Sequence, residues 1–270
     1  MTSKNNDNIE LYLDPNRYAE PGKIELGDII KFSGYQTFDL SDSYIEINPK
    51  DKGLVTKKNL TNPIFYSSWI QNKSVLDIGS NSAFFCYHSL FKGANNATAV
   101  EIDPIYAGMI RAAKNHIGIK NLSVAEKNVM DISTPADLVL AFALIHWIYS
   151  CTSDYGSLDL SIQKLASLTN ELLVIEWIEP DDDAIKFFKH TEWNKSIIKE
   201  EYSKKNFENA LSNHFDSWEY IGDIKSTRKL YFAYKKPTTK NEINDSYLGL
   251  PLQDIFISLN ELDEKYVILR

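Results

Sequence analysis

Short apolar runs alternate with longer amphipathic stretches through the middle of the chain. The short runs have the length of buried strands, and the stretches between them repeat apolar residues with helical spacing. Strands separated by segments of helical length indicate βαβ units and a parallel sheet. The predicted strands are 75–78, 97–102, 121–125, 137–142 and 171–177, and the predicted helices are 63–72, 82–92, 104–116 and 157–169.

The pattern changes beyond Pro180, where the sequence is charged and helical through about His214. Two strand-like runs, 217–224 and 229–235, follow and are joined by the polar link 225–228. A link of this length is typical of a β-hairpin. We therefore predict a doubly wound, Rossmann-like α/β fold with a seven-stranded, mostly parallel sheet that ends in a C-terminal antiparallel hairpin.

The chain divides into three predicted regions. The first is a polar tail followed by a cap or lid of short strand-like pieces, such as Tyr44–Ile47, and turns. The last is a linker and an extension that ends on an apolar run, and one interpretation of that ending is a fragment of a longer protein. The predicted regions are 1–60 (tail 1–10), the core domain 61–236, and 237–270 (linker 237–245, helix candidate 252–262).

Composition excludes several classes of protein. The 29 Lys and Arg against 37 Asp and Glu give a net charge of −8, so we expect no extended nucleic-acid binding. A local basic patch is compatible with this net charge. Cys86 and Cys151 are far apart and outside any CxxC spacing, which argues against a disulfide framework and a metal site. No apolar run reaches the ~20 residues of a membrane span, and the polar, acidic start is unlike a signal peptide. We predict a cytoplasmic protein and leave its oligomeric state open.

A turn rich in small residues follows the first predicted strand, in the segment Val75-Leu-Asp-Ile-Gly-Ser-Asn-Ser-Ala-Phe-Phe85. A ligand approaches a backbone closely where no Cβ intervenes, and the next helix directs its N-terminal amides at the bound group. The carboxylate of Asp77 would repel a dinucleotide's pyrophosphate, but it suits the ammonium of a cationic amino acid. This favours S-adenosylmethionine (SAM) over NAD, and a strand turn with an incidental glycine is the alternative.

Two acidic residues follow the second predicted strand. Glu101 lies 22 positions after Gly79, where a carboxylate can accept hydrogen bonds from both ribose hydroxyls. Asp103 is a rival for that role, but it precedes Pro104 and a predicted helix, so it is the better helix cap. We assign Glu101 to the ribose and Asp103 to capping.

The pattern DxGxNxA resembles motif I of class I SAM-dependent methyltransferases, which is usually DxGxGxG; Asn81 and Ala83 replace two glycines. In this family an acid after the third strand typically accepts the adenine amino group beside an apolar residue, which Asp131 and Ile132 match, although a turn cap is an alternative role for Asp131. The resemblance spans about 62–236 and implies SAM as the cofactor. The expected cofactor contacts are Asp77, Gly79, Asn81, Ala83, Glu101, Ile102, Asp131, Ile132 and Phe142.

The segment 137–148 resembles motif IV of the same family, a strand followed by an apolar segment and a His. His146 and Glu176 follow two predicted strands whose carboxyl ends meet at one edge of the sheet, where open α/β folds bind ligands. They are the candidate catalytic residues, and His146 as a structural side chain is the alternative. We expect the acceptor beside Trp147, under a lid around Tyr35 and Gln36.

A narrower resemblance, over 35–37 and 142–183, is to the methyltransferase halves of O-antigen chain-terminating methyltransferase/kinases. A similar run occurs in RNA 5′-phosphate methyltransferases. The implied acceptor is an oxygen, such as a phosphate or hydroxyl of a glycan or small molecule. A phosphate needs no general base, whereas a hydroxyl would call for His146 as the base. The alternatives are an RNA or protein methyltransferase, an inactive SAM-binding scaffold and a nicotinamide-dependent oxidoreductase.

Overall fold

The structure is a computed structural model that describes residues 22–151, 157–186 and 201–247. In these ranges the strands form two sheets. The small sheet contains β1 (Lys23–Glu25), β2 (Ile30–Ser33), β3 (Phe38–Leu40) and β4 (Ile45–Ile47). The large sheet contains β5 (Ser74–Ile78), β6 (Asn96–Val100), β7 (Leu122–Ala125), β8 (Ala136–Ala141), β9 (Thr169–Ile178), β10 (Ser217–Lys225) and β11 (Arg228–Tyr234).

Helices flank the sheets within the same ranges. They are α1 (Lys52–Phe65), α2 (Phe84–Phe91), α3 (Pro104–Ile117), α4 (Ile145–Cys151), α5 (Leu158–Ser167), α6 (Asp183–Lys186), α7 (Lys204–His214) and α8 (Thr239–Ser246). No helix of the described residues combines the length and the apolar character that crossing a bilayer requires.

The large sheet confirms the predicted architecture. Its strand order is β10-β11-β9-β8-β5-β6-β7, and β5 to β9 pair in parallel. Strand β11 runs antiparallel to both β9 and β10, which gives the expected hairpin at one end of the sheet. The chain winds outward from β5 to β7 and then returns to β8 on the other side of β5. This reversal opens the crevice at the strand ends where folds of this type bind ligands.

The apolar runs become strands because both faces of the large sheet are covered. In β9, for example, the seven residues from Leu172 to Ile178 are all buried, with one core cluster on each side of the sheet. A strand covered on both faces has a continuous apolar sequence instead of an alternating one. The predicted strand boundaries accordingly agree with the structure to within two residues.

The cap predicted from the N-terminal region is a docked sheet. Phe32 and Phe38 stack with their ring centroids 4.5 Å apart, and Phe38 meets Phe84 of helix α2 edge-on at 5.3 Å. All three side chains are buried in a single cluster with residues of the large sheet. The cap therefore shares a core with the domain that it covers.

Two sequence predictions about local structure were wrong. Helix α1 begins at Lys52 instead of Pro63, because the Asp51 carboxylate caps it by accepting the Leu54 N–H at 3.0 Å; Pro63 lies inside its last turn. The expected linker 237–245 overlaps helix α8, which is held by burial of Ile243 and by a 3.3 Å bond from the Thr239 hydroxyl to Glu171. The tail 1–10 and the helix candidate 252–262 lie outside the described residues.

Candidate functional site

The turn between β5 and α2 has an unusual backbone. Gly79, Asn81 and Ala83 all have positive φ, at 71°, 52° and 62°. An alanine in this region costs about 1–2 kcal/mol, whereas asparagine tolerates it better. A Cβ placed on Gly79 would lie 3.1 Å from Leu144 Cδ1, so the turn passes close to the segment that follows β8. Gly79 and Asn81 of the D-x-G-x-N-x-A spacing therefore suit this backbone, whereas Ala83 is held in it at an energetic cost.

Glu101 and Asp103 hold the adjacent strand end. The Glu101 carboxylate accepts the Asn81 N–H at 2.7 Å and the Asp103 N–H at 2.9 Å, so it connects β6 to the turn after β5. Asp103 caps α3 by accepting the Ile105 N–H at 2.9 Å, as we predicted. Each oxygen of a carboxylate can accept more than one hydrogen bond, which is compatible with the ribose role predicted for Glu101.

Three further residues predicted to contact the cofactor, among them the adenine candidates Asp131 and Ile132, follow the neighbouring strands β6 and β7. Ile102 is 65% exposed, Asp131 is exposed and Ile132 is buried. Asn128, not Asp131, caps the short 3₁₀ turn after β7, through a 3.0 Å bond from the Met130 N–H. The adenine role of Asp131 and its alternative role as a cap before Thr134 and Pro135 both stay predictions.

A cavity of about 330 Å³ lies where these elements meet. Five of the predicted site residues line it: Asp77, Gly79, Phe142, Tyr35 and Gln36. Burial and the nearby charge of Glu101 raise the pKa of Asp77 to about 7, although Lys57 acts in the opposite direction. The predicted cofactor turn and part of the predicted acceptor site therefore border one cavity.

The predicted catalytic pair is not assembled in the described part of the chain. The Glu176 side chain is completely buried and contacts Lys57 Nζ at 2.9 Å, Arg228 Nη1 at 3.4 Å and the Ala143 N–H at 2.9 Å. His146 is buried in α4, its ring centroid 5.6 Å from that of Trp147, and neither residue lines the cavity. Glu176 thus faces cations, and His146 is displaced from the cavity into the helix that follows β8.

Comparison with known proteins reveals similarity in structure only. No protein-family model and no curated protein matches the sequence. The bifunctional kinase-methyltransferase WbdD superposes with a TM-score of 0.51 at 13% identity, over 66% of this chain and 39% of that one. WbdD bound to the kinase inhibitor LY294002 gives 0.50 at 14% identity, over 69% and 41%. This chain has the class I methyltransferase fold.

The aligned region spans about two fifths of the length of these WbdD chains. Magnesium protoporphyrin IX methyltransferase (ChlM) from Synechocystis PCC 6803, with bound SAH, matches at a TM-score of 0.49 and 13% identity, over 71% of this chain and 89% of that one. The similarity to WbdD confirms, at the level of the fold, the resemblance inferred from motif I.

Lys57 and Arg228 are two of the cavity residues that were not predicted from the sequence. Lys57 lies on the buried stripe of α1, between Leu54 and Thr61. Burial alone would lower the pKa of Lys57, but the Glu176 carboxylate and Tyr35 together outweigh it and raise the pKa above its usual value. The position of Lys57 on the apolar face of α1 could have indicated its role, because a buried lysine in an amphipathic helix requires a partner.

Arg228, the second missed residue, begins β11. Its Nε and Nη2 donate to the two oxygens of Asp182, each at 3.1 Å. Thr227 and Lys225 of the same link also bind Asp182. Burial alone would raise the pKa of Asp182, but these hydrogen bonds and charges hold it below its usual value. The polar link 225–228, which joins the two strands of the hairpin, thus places Arg228 at the cavity.

Gln36 joins the cap to the cofactor turn. Its side-chain oxygen accepts the N–H of Phe84, the first residue of α2, at 3.3 Å. Phe85, the next residue, stacks on Phe142 with the ring centroids 4.4 Å apart. The start of α2 is therefore held between the cap and the end of β8.

Proposed function

We propose that this chain transfers a methyl group from SAM to an oxygen acceptor, a phosphate or hydroxyl of a glycan or small molecule. The observation that carries the proposal is that one cavity is bordered by Asp77 and Gly79 of the motif I turn, by Phe142, and by Tyr35 and Gln36 of the cap. The similarity of the fold to methyltransferases of known structure supports it.

The residues present fit SAM. Gly79 offers a backbone without Cβ at positive φ, and the buried Asp77 carboxyl borders the cavity as a partner for the amino group of the cofactor. Glu101 lies at the end of the next strand, where a carboxylate reaches the ribose hydroxyls. When bound, SAM supplies an electrophilic methyl group.

The chain's own residues would mainly align the acceptor and exclude water. Alignment of two reacting groups lowers the barrier by up to ~7–11 kcal/mol, so a displacement at a methyl group needs little further assistance. Phe142, Phe85 and Tyr35 provide apolar walls around the cavity. His146 is buried outside the cavity lining, and Glu176 is buried behind two cations. This arrangement favours an acceptor oxygen that is already ionised and needs no general base.

Calorimetric titration with SAM tests the cofactor assignment. Glu101→Gln keeps an oxygen for one backbone N–H but removes the charge, and hydrogen bonds to charged groups contribute about 1.5–3 kcal/mol each. We expect SAM affinity to fall by roughly tenfold to a hundredfold. The control is Asp103→Ala, which should lower stability by about 1 kcal/mol through loss of the α3 cap and leave the affinity unchanged.

The opposite pattern, with normal affinity in Glu101→Gln and a large loss in folded Asp103→Ala, would reverse the assignment. No binding of SAM by the folded wild-type protein would refute the proposed function. Mass spectrometry of extracts incubated with the protein and methyl-labelled SAM would then identify the acceptor.

A further inference from the structure

We propose that Lys57 and Arg228 form a binding site for an oxyanion of the acceptor, a carboxylate or a phosphate. Both side chains line the cavity that also contains Gly79 and Phe142. Only the identity of the ligand as methyl acceptor rests on the proposed function. The anion site itself depends on the arrangement of the charged groups.

Arg228 is oriented by its partners. One edge of the guanidinium, Nε and Nη2, is bound to the two Asp182 oxygens. Nη1 points away from this contact, to the Tyr35 hydroxyl and Glu176 Oε1, both at 3.4 Å. These two contacts are at the long limit for hydrogen bonds, and charge-assisted bonds to an oxyanion are typically ~2.7–2.9 Å. An oxyanion in the cavity would therefore offer Nη1 a better acceptor.

Lys57 brings a second cation to the same place. Its Nζ bonds Glu176 Oε2 at 2.9 Å and lies 5.4 Å and 5.8 Å from the ring centroids of Phe142 and Tyr35. An ammonium group has three N–H donors, so the Glu176 bond leaves capacity for a ligand. Glu176 thus holds both cations and is a positioning residue for them.

The charges that border the cavity favour an anion. The described lining contains four cations, Lys52, Lys57, Lys225 and Arg228. Of the two carboxylates in that lining, Asp51 already accepts the N–H groups of Thr37 and Leu54. The other is Asp77, the proposed partner of the SAM amino group. Glu176 and Asp182 are completely buried behind the cations.

A purely structural role accounts poorly for this arrangement. Buried ion pairs contribute little net stability, because desolvation offsets their attraction. Here the pairs are placed against a cavity, and Arg228 and Lys57 are both part of its lining. Their placement is the arrangement that a planar or tetrahedral oxyanion requires.

Thermal unfolding and calorimetry on the full chain test the site, with inorganic phosphate and acetate as probes and chloride at matched ionic strength as reference. We expect phosphate, acetate or both to raise Tm beyond chloride. Arg228→Gln should remove that rise. The matched control is Arg111→Gln, which deletes an arginine whose Nη1 lies 2.8 Å from Glu126 at an exposed position, and it should keep the rise.

The single variant Lys57→Gln is unsuitable as a test, because it leaves Glu176 buried with fewer partners and so destabilises the fold. The double variant Lys57→Met/Glu176→Gln removes both charges and should fold while binding either anion at least tenfold more weakly. Asp182→Asn should weaken anion binding and leave SAM affinity unchanged, as expected for a positioning residue.

The outcomes distinguish a phosphate ligand from a carboxylate ligand, and they test the oxyanion site separately from the proposed methyl transfer. A response to phosphate alone identifies a phosphate site, and a response to acetate alone identifies a carboxylate site. No response beyond chloride, or an equal response in Arg228→Gln, would overturn the oxyanion site. SAM binding without anion binding refutes only this inference, and anion binding without SAM binding refutes only the proposed function.

Discussion

Asp77 is a buried carboxyl group that changes its charge near neutral pH. Its pKa of about 7 is that of the protein without ligand, where burial and Glu101 disfavour the carboxylate. A cationic amino group bound beside it would favour the ionised form, so a proton must leave on binding below pH 7. The residue therefore links cofactor binding to pH.

We expect the Kd for SAM to rise about tenfold for each unit that the pH falls below 7. Titration between pH 5.5 and 7.5, in buffers of different ionisation enthalpy, measures both the affinity and the released proton. Asp77→Asn should bind weakly without this pH dependence. A wild-type affinity that is constant over this range would exclude Asp77 as the partner of the amino group.

The raised pKa of Asp77 affects folding in the opposite direction: SAM affinity should increase with pH, whereas the stability contributed by Asp77 decreases. Because the folded pKa is above the ordinary value of 3.8, the folded protein holds a proton that the unfolded chain has released between pH 3.8 and 7. The contribution of Asp77 to the free energy of unfolding therefore decreases as the pH rises through this window. Asp182, whose pKa is lowered, contributes stability that is lost as the pH falls.

At the scale of single residues, the sequence predicts positions that depend on local spacing. Gly79 and Asp103 follow from a turn and a helix cap, each of which is formed by neighbours in the chain. Lys57 and Arg228 were missed because their roles depend on Glu176 and Asp182, which lie far away in sequence. His146 lies outside the cavity lining because α4 begins at Ile145 and places the imidazole in the core.

Among the secondary-structure elements, α2 depends on a residue outside its own segment. Ala83 at its N-cap has no side chain that can accept a hydrogen bond, and Gln36 supplies an acceptor from 48 positions away. Unsatisfied N–H groups at a buried helix start are costly. The cap therefore completes the element that carries the cofactor turn.

Replacement of Gln36 tests this contact. Gln36→Leu removes the acceptor and should lower the free energy of unfolding by about 1 kcal/mol, with faster hydrogen exchange at the Phe84 amide. Gln36→Glu keeps an oxygen at the same place and should retain most of the protection. Equal exchange rates in the two variants would show that Gln36 does not cap α2.

The boundaries of an element could be predicted where a single capping residue determines them. They could not be predicted where tertiary packing determines them. Asp103 and Gly118 bracket α3 at its two ends, and the predicted helix 104–116 is one residue short of the observed one. The segment PTTKNEIND has few strong helix formers, and α8 forms there because Glu171 and the core hold Thr239 and Ile243. Tertiary contacts of this kind are not visible in a local sequence pattern.

Considered as a whole molecule, the cap and the methyltransferase-like domain cannot be separated without exposing their common core. Deletion of residues 1–60 would uncover the partners of Phe32 and Phe38 and would cut α1 after nine of its fourteen residues. The lid predicted from sequence is thus a structural part of the fold, and truncation would not isolate its effect on turnover.

We expect the 1–60 deletion to be insoluble or unfolded. Phe38→Ala in the full chain should lower the free energy of unfolding by about 3–5 kcal/mol, since it empties a buried aromatic site. Tyr44→Ala, at a residue that is 38% exposed in the link between β3 and β4, should change it by less than about 1 kcal/mol. Urea denaturation measures both. A truncated protein with a cooperative unfolding transition would contradict the shared core.

The bond between Arg228 and Tyr35 joins residues 193 positions apart, and this separation affects the order in which the chain folds during synthesis. Strand β11 lies between β9 and β10, so the sheet remains open at that position until the last strand has been synthesised. Chain closure over such a distance is slow compared with local folding. During translation, the motif I turn would form early, and the cavity wall with its guanidinium would be added last. A nascent chain would therefore form the motif I turn well before Arg228 completes the lining of the cavity.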